Sequence, residues 1–298
     1  MLRACSIIDA PSDLGLRRTG VQGLPEALRA AGILEGIPDA RYAGALFVPP
    51  YDPLPDPATG VLNLEAIADF SIRLSERIAF TLDLARFPLV LGGDCSILLG
   101  PMLALRRRGR FGLLFIDGHA DFYSPESEPN GEVASMDLAI VTGREPIELA
   151  DLDGRRPLVL EEDVVLLGYR DAEMAKEYGS PDVSDTSMRT IDLPGIRQLG
   201  VRSAAEEALA VLEGPGIEGF WIHLDADVLN DEVMAAVDYR MPDGLWPEEL
   251  STLLGTALRS PMVVGMDVTI YNPAFDDRER SAAHTLARTI TQACAIAT

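Results

Sequence analysis

Positive charge and cysteine are both scarce in this chain of 298 residues. Lys and Arg number 25 against 47 Asp and Glu, giving a net charge of −22. Such a charge excludes nucleic acid or an anionic membrane as a partner bound through bulk electrostatics. The cysteines, Cys5, Cys95 and Cys294, are too few and too scattered for a disulfide framework. We therefore expect a protein of the reducing cytoplasm.

Histidine and long hydrophobic runs are limited as well. The three histidines, His119, His223 and His284, exclude mechanisms that need many imidazoles. No stretch approaches the roughly 18 apolar residues of a membrane span. The first residues, Met1–Asp9, are typical of a buried strand rather than of a signal peptide. Hydrophobic residues nevertheless make up 47% of the chain, which is ample for a core.

Short apolar runs alternate with amphipathic stretches along the chain. The predicted strands are Ala4–Ile8, Leu46–Val48, Leu89–Leu91, Gly112–Ile116, Val164–Gly168, Arg189–Asp192, Gly219–Leu224 and Met262–Val268. The predicted helices are Leu64–Leu84, Pro101–Arg108, Ala204–Leu212, Pro247–Arg259 and Arg280–Ala297. Continuous apolar strands alternating with helices indicate a parallel sheet covered on both faces. The sequence thus predicts one α/β domain over residues 1–298, a three-layer α/β/α arrangement with one mostly parallel, roughly eight-stranded sheet.

Ligands of such sheets collect outside the carboxyl ends of the strands, and three motifs lie at such places. The first, Gly92–Ser96, passes from a strand through two glycines to Asp94, Cys95 and Ser96. The glycines permit a tight turn and a close approach of the backbone to a ligand. By itself the motif is explained equally well by a strand-to-helix turn capped by Asp94 or Ser96.

The second motif places Asp117, His119 and Asp121 at every second position after an apolar strand. In an extended chain such side chains point to one face and converge. Two carboxylates and an imidazole at one point repel or desolvate one another unless a cation joins them. A metal site is favoured over a strand end that is merely polar and solvated.

The third motif is Asp225-Ala226-Asp227, again at the end of an apolar strand. His223 lies two residues earlier on the same face. We expect it to support the ligands from behind, with a satisfied core histidine as the alternative. The four motif carboxylates would overneutralise one ion, so two divalent ions bridged by carboxylates and holding a hydroxide fit better.

These motifs resemble those of the ureohydrolase family, which includes arginase, agmatinase and formimidoylglutamase. The segments that carry the likeness are Asp9–Arg29, Gly92–Ser96, Asp117–Asp121, Asp225–Asp227 and Asp267–Pro273, and they extend over nearly the whole chain. The resemblance implies hydrolysis of a C–N bond in a guanidino- or amidino-type small molecule at a binuclear metal centre. It also implies a homo-oligomer, often a trimer or hexamer.

The resemblance further implies how the two ions would be shared. The ligands of one ion would be Cys95, Asp117, Asp121 and Asp225. The ligands of the other would be Asp117, His119, Asp225 and Asp227, so that Asp117 and Asp225 bridge.

Cys95 departs from the family pattern, because a histidine usually stands at that position. Oxygen ligands with one imidazole favour Mn²⁺, whereas a softer, charged thiolate opens the site to Zn²⁺, Fe²⁺, Co²⁺ or Ni²⁺. The alternative is an uncoordinated thiol beside a single-metal site. A cysteine here, with Asp-Gly-His in the second motif, is similar to the N-hydroxyarginine amidinohydrolase of D-cycloserine biosynthesis.

Two further departures concern the substrate. Ile270 occupies the position of a family glutamate that faces the guanidinium, and Ala134 that of the proton-shuttling histidine of arginases. Proton transfer would then use Glu132, Asp137, Tyr123 or solvent. The catalytic residues we expect are Asp121 and Glu132, and the substrate contacts are Tyr123, Asn130, Glu173 and Ile270.

Two functions stay open from the sequence alone. The first is a binuclear-metal hydrolase with an altered substrate pocket, motivated by the complete set of acids and imidazole. The second is a metal-binding but catalytically silent homologue that acts as a binding or regulatory protein, motivated by Ile270 and Ala134.

Overall fold

The computed structural model describes residues 4–297, and its centre is one eight-stranded sheet. The strands are β1 Cys5–Asp9, β2 Arg41–Ala45, β3 Phe87–Leu91, β4 Gly112–Ile116, β5 Val164–Leu167, β6 Arg189–Ile191, β7 Phe220–Asp225 and β8 Val263–Thr269. Their order is β2-β1-β3-β8-β7-β4-β5-β6, and every neighbouring pair is parallel. This confirms the predicted parallel sheet. The predicted extended start at Met1–Arg3 lies outside the described residues.

Helices connect the strands and cover both faces of the sheet. The α-helices are α1 Leu24–Ala30, α2 Ile33–Gly36, α3 Leu64–Asp83, α4 Leu99–Arg106, α5 Asp137–Val141, α6 Ile147–Ala150, α7 Ala172–Glu177, α8 Leu193–Leu199, α9 Val201–Leu212, α10 Pro247–Leu258 and α11 Ser281–Ala297. Short 3₁₀ turns occupy Val21–Gly23, Cys95–Leu98, Val133–Ser135, Leu152–Gly154, Glu161–Asp163, Val183–Asp185 and Ala226–Val228.

The sheet separates the hydrophobic core into two clusters, one on each of its faces, and the apolar faces of the helices pack against both. Helix α3 buries Ile67, Phe70, Leu74 and Ile78, the spacing of one helical face, against one side of the sheet. Helices α4, α5 and α6 lie on that side, and α1, α2, α8, α9, α10 and α11 cover the other. The result is the expected three-layer α/β/α fold.

One predicted strand is wrong. Leu46–Val48 is not a strand, and the second strand is Arg41–Ala45. After it, the Leu46 N–H donates to the Asp9 carbonyl at 2.9 Å, and the chain then enters two prolines that have no N–H to offer. The true strand lies at the sheet edge, where its residues are exposed or half-buried, so no apolar run announces it.

The order of the strands decides where the three motifs meet. Strands β3, β8, β7 and β4 are consecutive neighbours at the middle of the sheet. The motifs follow β3, β4 and β7, although far apart in sequence, so they emerge side by side at one carboxyl edge. The end of β8 separates the first motif from the third.

Candidate metal centre

Two groups of ligand-type side chains form at this edge. In the first, one potential ligand atom from each of four residues lies within 4.8 Å of the others; its members are Cys95, Asp117, His223 and Asp225. In the second, the same limit brings together Asp117, His119 and Asp227. Asp117 belongs to both groups. The arrangement therefore has the shape of two adjoining cation sites that share a carboxylate.

Backbone N–H groups hold the carboxylates in place. The His119 N–H donates to Asp117 Oδ1 at 2.6 Å, and the Asp227 N–H donates to Asp225 Oδ1 at 2.7 Å. The Gly118 N–H donates to Asp227 Oδ1 at 3.0 Å. Each of these bonds uses one carboxylate oxygen and fixes the direction of the other, which is how a rigid strand end orients ligands.

Two side-chain contacts link the members of the groups. His119 Nδ1 lies 2.9 Å from Asp227 Oδ2 and 3.8 Å from Asp117 Oδ1. The Cys95 thiol donates to Asp225 Oδ2 at 2.9 Å and also lies 3.2 Å from Thr269 Oγ1. The thiol thus points at Asp225, a carboxylate of its own group.

Three buried atoms of these groups have no hydrogen-bond partner among residues 4–297: Asp117 Oδ2, His119 Nε2 and His223 Nε2. Leaving one such atom unpaired costs about 1–3 kcal/mol. Carboxylate, imidazole and thiolate are donors that first-row divalent metals accept. The residues therefore fit divalent metal ions, which would satisfy these atoms.

The electrostatics lead to the same conclusion. Burial, reinforced by Asp225, raises the pKa of Asp117 well above its ordinary range, and burial with Asp227 does the same to the pKa of Asp225. Burial and Asp225 also raise the pKa of the Cys95 thiol. Without cations these groups retain protons because their charges would be buried close together. Divalent ions would take the place of those protons.

His119 and Asp227 behave as an ion pair. Burial alone would lower the pKa of His119, but Asp227 and then Asp121 raise it to about 10. Burial acts to raise the pKa of Asp227, but His119 and Arg170 outweigh it and lower that pKa. A metal ion at this group would replace the proton on His119.

The structure groups three residues differently from the sequence expectation: Asp121, His223 and Asp225, the last of which falls in the first group only and is not shared between the groups. Asp121 falls in neither group, whereas His223, expected behind the ligands, falls in the first. Burial raises the pKa of Asp121 to about 8. Asp137 at the start of α5 is fully buried, neither of its oxygens has a partner among the described residues, and burial and Asp121 raise its pKa.

A cavity of about 140 Å³ opens above the second group. Its floor consists of His119, Asp121, Asp225 and Asp227. Its wall is mainly apolar and aromatic; the wall residues are Leu16, Tyr123, Glu128, Pro129, Asn130, Ala134, Met174, Tyr178, Tyr239 and Ile270. We use the names floor and wall for these two sets below.

Three of the expected substrate contacts, Tyr123, Asn130 and Ile270, are wall residues. Glu173 is not, because it lies in a neighbouring surface cavity with Lys176. Glu132 does not line the cavity either: its Oε1 accepts the Arg17 N–H at 2.7 Å, and its Oε2 accepts the hydroxyl of the wall residue Tyr239.

Ile270 is held in an unusual backbone conformation. Its φ is 68°, in the left-handed region that a β-branched residue rarely adopts. Its N–H donates to the Gly93 carbonyl at 2.8 Å, so the turn after β8 is tied to the loop that carries Cys95. Strain of this kind costs about 1–3 kcal/mol and is concentrated at functional sites.

The sequence pattern signalled most of these residues. His223 could have been grouped with Asp225 from the sequence, since it precedes Asp225 by two residues on one face of β7. The sequence named Asp137 as a possible proton-transfer group but not its full burial beside Asp121, which depends on how helix α5 packs. Among residues 4–297, no helix is long and apolar enough to cross a membrane.

Comparisons with known proteins agree with this geometry. The family model described as the arginase family matches residues 3–295. Arginase of Staphylococcus aureus (strain COL) is 29% identical over 287 residues, covering 94% of this chain and 93% of that protein. The solved structure of Bacillus caldovelox arginase superposes with a TM-score of 0.85 at 26% identity, covering 98% of both chains. That of Bacillus cereus arginase gives 0.83 at 26% identity, covering 97% of both. The chain belongs to the arginase family.

Proposed function

We propose that this protein hydrolyses a C–N bond of a guanidino- or amidino-type small molecule with the help of two divalent metal ions. One observation carries the proposal: two groups of ligand-type atoms share Asp117 and contain buried atoms without partners. The second group forms part of the floor of a cavity that is open to a small molecule. Family membership supplies the reaction type.

The two groups would hold one ion each. Cys95, Asp117 and Asp225 are proposed for the first, and Asp117, His119 and Asp227 for the second, with Asp121 and Asp225 near both. When bound, such ions supply Lewis acidity and make water more acidic. We propose Mn²⁺ first, since most donors are carboxylate oxygens, and Zn²⁺, Fe²⁺, Co²⁺ or Ni²⁺ as alternatives favoured by the Cys95 sulfur.

Proton transfer at the floor is proposed for Asp121. It lines the cavity and belongs to neither ligand group. A carboxyl group of that kind can take a proton from attacking water and return it to the leaving nitrogen. Glu132 reaches the cavity only through Tyr239, whose hydroxyl it accepts, so we propose it as the outer end of a proton path.

The wall indicates how the substrate would be held. The side chains of Ile270 and Ala134 are apolar and uncharged. The rings of Tyr123 and Tyr178 pack edge to face, with their centroids 6.3 Å apart. Among the described wall residues, Glu128 is the one carboxyl group, and burial raises its pKa. We propose a substrate whose reacting group lies over the floor and whose body contacts Tyr123, Asn130 and Ile270.

The test combines metal analysis with a substrate panel. Protein loaded separately with each candidate metal is assayed on arginine, N-hydroxyarginine, agmatine, guanidinobutyrate, guanidine and formimidoylglutamate. We expect two ions per chain and turnover of at least one compound. Asp121→Asn should retain the ions and lose turnover, while the exposed Asp69→Asn should change neither.

The apolar wall also favours a second candidate, a metal-binding homologue without catalysis. Its motivation is that neither Ile270 nor Ala134 can pair with a cation or carry a proton. Two bound ions with no turnover on the panel would support it against the hydrolase. No bound ion in any preparation would contradict both.

We also propose that the protein is a cytoplasmic homo-oligomer, a trimer or hexamer, as the family resemblance implies. Its partner in this view is the small-molecule substrate alone. Light scattering coupled to size-exclusion chromatography measures the assembly directly. A monomeric mass at micromolar concentration would contradict this proposal and leave the metal site unaffected.

A further inference from the structure

His223 is the histidine whose surroundings are most unusual. It lies in the middle of β7, its side chain is fully buried, and its ring stacks on Phe115 of the neighbouring strand at 4.5 Å. One face of the ring is therefore covered by carbon. The contacts of the two ring nitrogens then show what the side chain can bind.

The first nitrogen, Nδ1, is hydrogen-bonded to a carboxylate. His223 Nδ1 lies 2.6 Å from Asp267 Oδ2, and the other oxygen of Asp267 accepts the Trp221 indole N–H at 2.5 Å. A carboxylate with one oxygen bonded to an indole N–H presents its second oxygen as an acceptor. With Asp267 Oδ2 as the acceptor, Nδ1 is the donor, and this tautomer leaves the lone pair on Nε2.

The second nitrogen is the one left for a ligand. Nε2 is buried and has no partner among residues 4–297. A nitrogen of the ring lies within 4.8 Å of one potential ligand atom from each of Cys95, Asp117 and Asp225. An imidazole that donates one N–H to a carboxylate and leaves the other nitrogen bare is the arrangement seen at metal-ligating histidines.

The register of the sheet builds this arrangement. Strands β7 and β8 pair Trp221 with Gly265 and His223 with Asp267. A Cβ on Gly265 would lie 2.0 Å from Trp221 Cζ3, so only glycine leaves room for the indole at this point. The indole then orients Asp267, and Asp267 orients His223. This chain of contacts is buried throughout.

We propose that His223 is a direct metal ligand through Nε2, with Asp267 and Trp221 as its positioning residues. The first ion would then be held by one sulfur, one nitrogen and two carboxylates, from Cys95, His223, Asp117 and Asp225. Such a mixed set suits borderline divalent metals such as Zn²⁺ and Co²⁺ better than Mn²⁺. The inference rests on the two-ion site of the proposed function and gives its first ion a metal preference.

A bond between nitrogen and metal can be observed directly. The full-length protein is labelled with ¹⁵N-histidine and loaded with ¹¹³Cd²⁺, and scalar coupling between the two nuclei is measured by NMR. The three histidines make assignment simple. We expect coupling to His223 Nε2 and to one nitrogen of His119, and none to His284, which serves as the internal control.

The outcomes separate this inference from the function on which it rests. Coupling to His119 without coupling to His223 would overturn the ligand role and leave the hydrolase proposal standing. Bound cadmium with no coupling to either histidine, or no bound cadmium, would overturn both. The measurement uses the unaltered chain, so it does not depend on the folding of a variant.

Variants then test the energetic role. His223→Gln should weaken binding of one ion more than 100-fold in a chelator competition, and His284→Gln should leave both affinities unchanged. Asp267→Asn should weaken the same ion by roughly 10–100-fold, as changes behind a ligating histidine do, and should shift the Nδ1 proton resonance. Unchanged affinity in a folded His223→Gln protein, verified by circular dichroism, would contradict the proposal.

Discussion

The floor and the wall of the cavity differ in chemistry although they enclose the same space. The floor and the ligand atoms beneath it are acids, imidazoles and a thiol, mostly at the ends of central parallel strands. The wall comes from loops and the helix α7, and it presents mainly carbon. The comparison teaches that the acid-rich floor and the apolar wall are built by separate parts of the chain. One can therefore change while the other is kept.

The largest expected effect follows from a change at Asp117, the carboxylate that the two ligand groups beneath the floor share. Asp117→Asn removes a charged ligand common to both groups, so both ions should be lost together. The affinity for metal should fall by more than the roughly 100-fold that changes behind a ligand produce. Elemental analysis after gel filtration measures it, with Asp69→Asn as the surface control. Retention of one ion at full affinity would show that the groups do not share Asp117.

The next effect alters the wall and spares the floor. Ile270→Glu places a carboxylate where the wall is apolar, and a hydrogen bond to a charged group contributes about 1.5–3 kcal/mol. We expect KM for cationic guanidino compounds to fall by roughly 10–100-fold at unchanged metal content. Ile270→Gln is the neutral control of the same shape. An equal gain in both variants would rule out charge as the cause.

A smaller effect is expected from a change at Gly265, which lies against the Trp221 ring behind the ligand groups. Gly265→Ala forces a methyl group against the Trp221 ring, which should destabilise the fold by about 1–3 kcal/mol. Because Trp221 orients Asp267 and Asp267 orients His223, metal affinity should fall as well. Chemical denaturation with and without metal measures both quantities. A loss of stability without a loss of affinity would separate the indole from the metal site.

The last prediction concerns the pH dependence of the stability of the metal-free protein. Burial raises the pKa of Asp121 to about 8 in the folded chain, above the ordinary value of an aspartate. The folded state then binds this proton more tightly than the unfolded state, so its contribution is full below about pH 4 and is lost as the pH rises to about 8.

The free energy of unfolding of chelator-treated protein should accordingly fall with rising pH, by at most about 1.4 kcal/mol per pH unit from this proton. Urea titrations between pH 5 and pH 8 measure it. Asp121→Asn should flatten the slope. An unchanged slope in that variant would assign the effect to other carboxyl groups.

Strands with continuous apolar sequence were predictable to within one or two residues. The prediction for β4, Gly112–Ile116, matches the structure, because both faces of a central parallel strand are buried and its ends are polar. The edge strand β2 was missed for the opposite reason: its exposed residues form no apolar run. Helix α5 also escaped prediction, since five residues are too short for a periodic pattern.

At the site, the sequence predicted which residue types lie together at the strand ends, and the structure brings most of them into the two groups, whereas their role as metal ligands stays a prediction. The rule that side chains two apart in an extended strand share a face predicted that Asp117 lies with His119 and Asp225 with Asp227. The structure keeps the first pair in one group but divides the second pair between the two groups, and Asp227 lies in the 3₁₀ turn Ala226–Val228. The same rule could not say that Asp267 of another strand would occupy Nδ1 of His223 and leave Nε2 bare. That depends on which strands are neighbours and in what register, which no local pattern contains.

The sequence alone therefore determined the α/β class, the acid-rich strand ends and the scarcity of histidine at the site, since these follow from local periodicity and composition. Tertiary structure decided the rest. It made β3, β8, β7 and β4 neighbours, joined two ligand groups through Asp117, and faced them with an apolar wall. The physical reason is that these contacts join residues far apart in the sequence, such as Cys95 and Thr269, which are 174 positions apart.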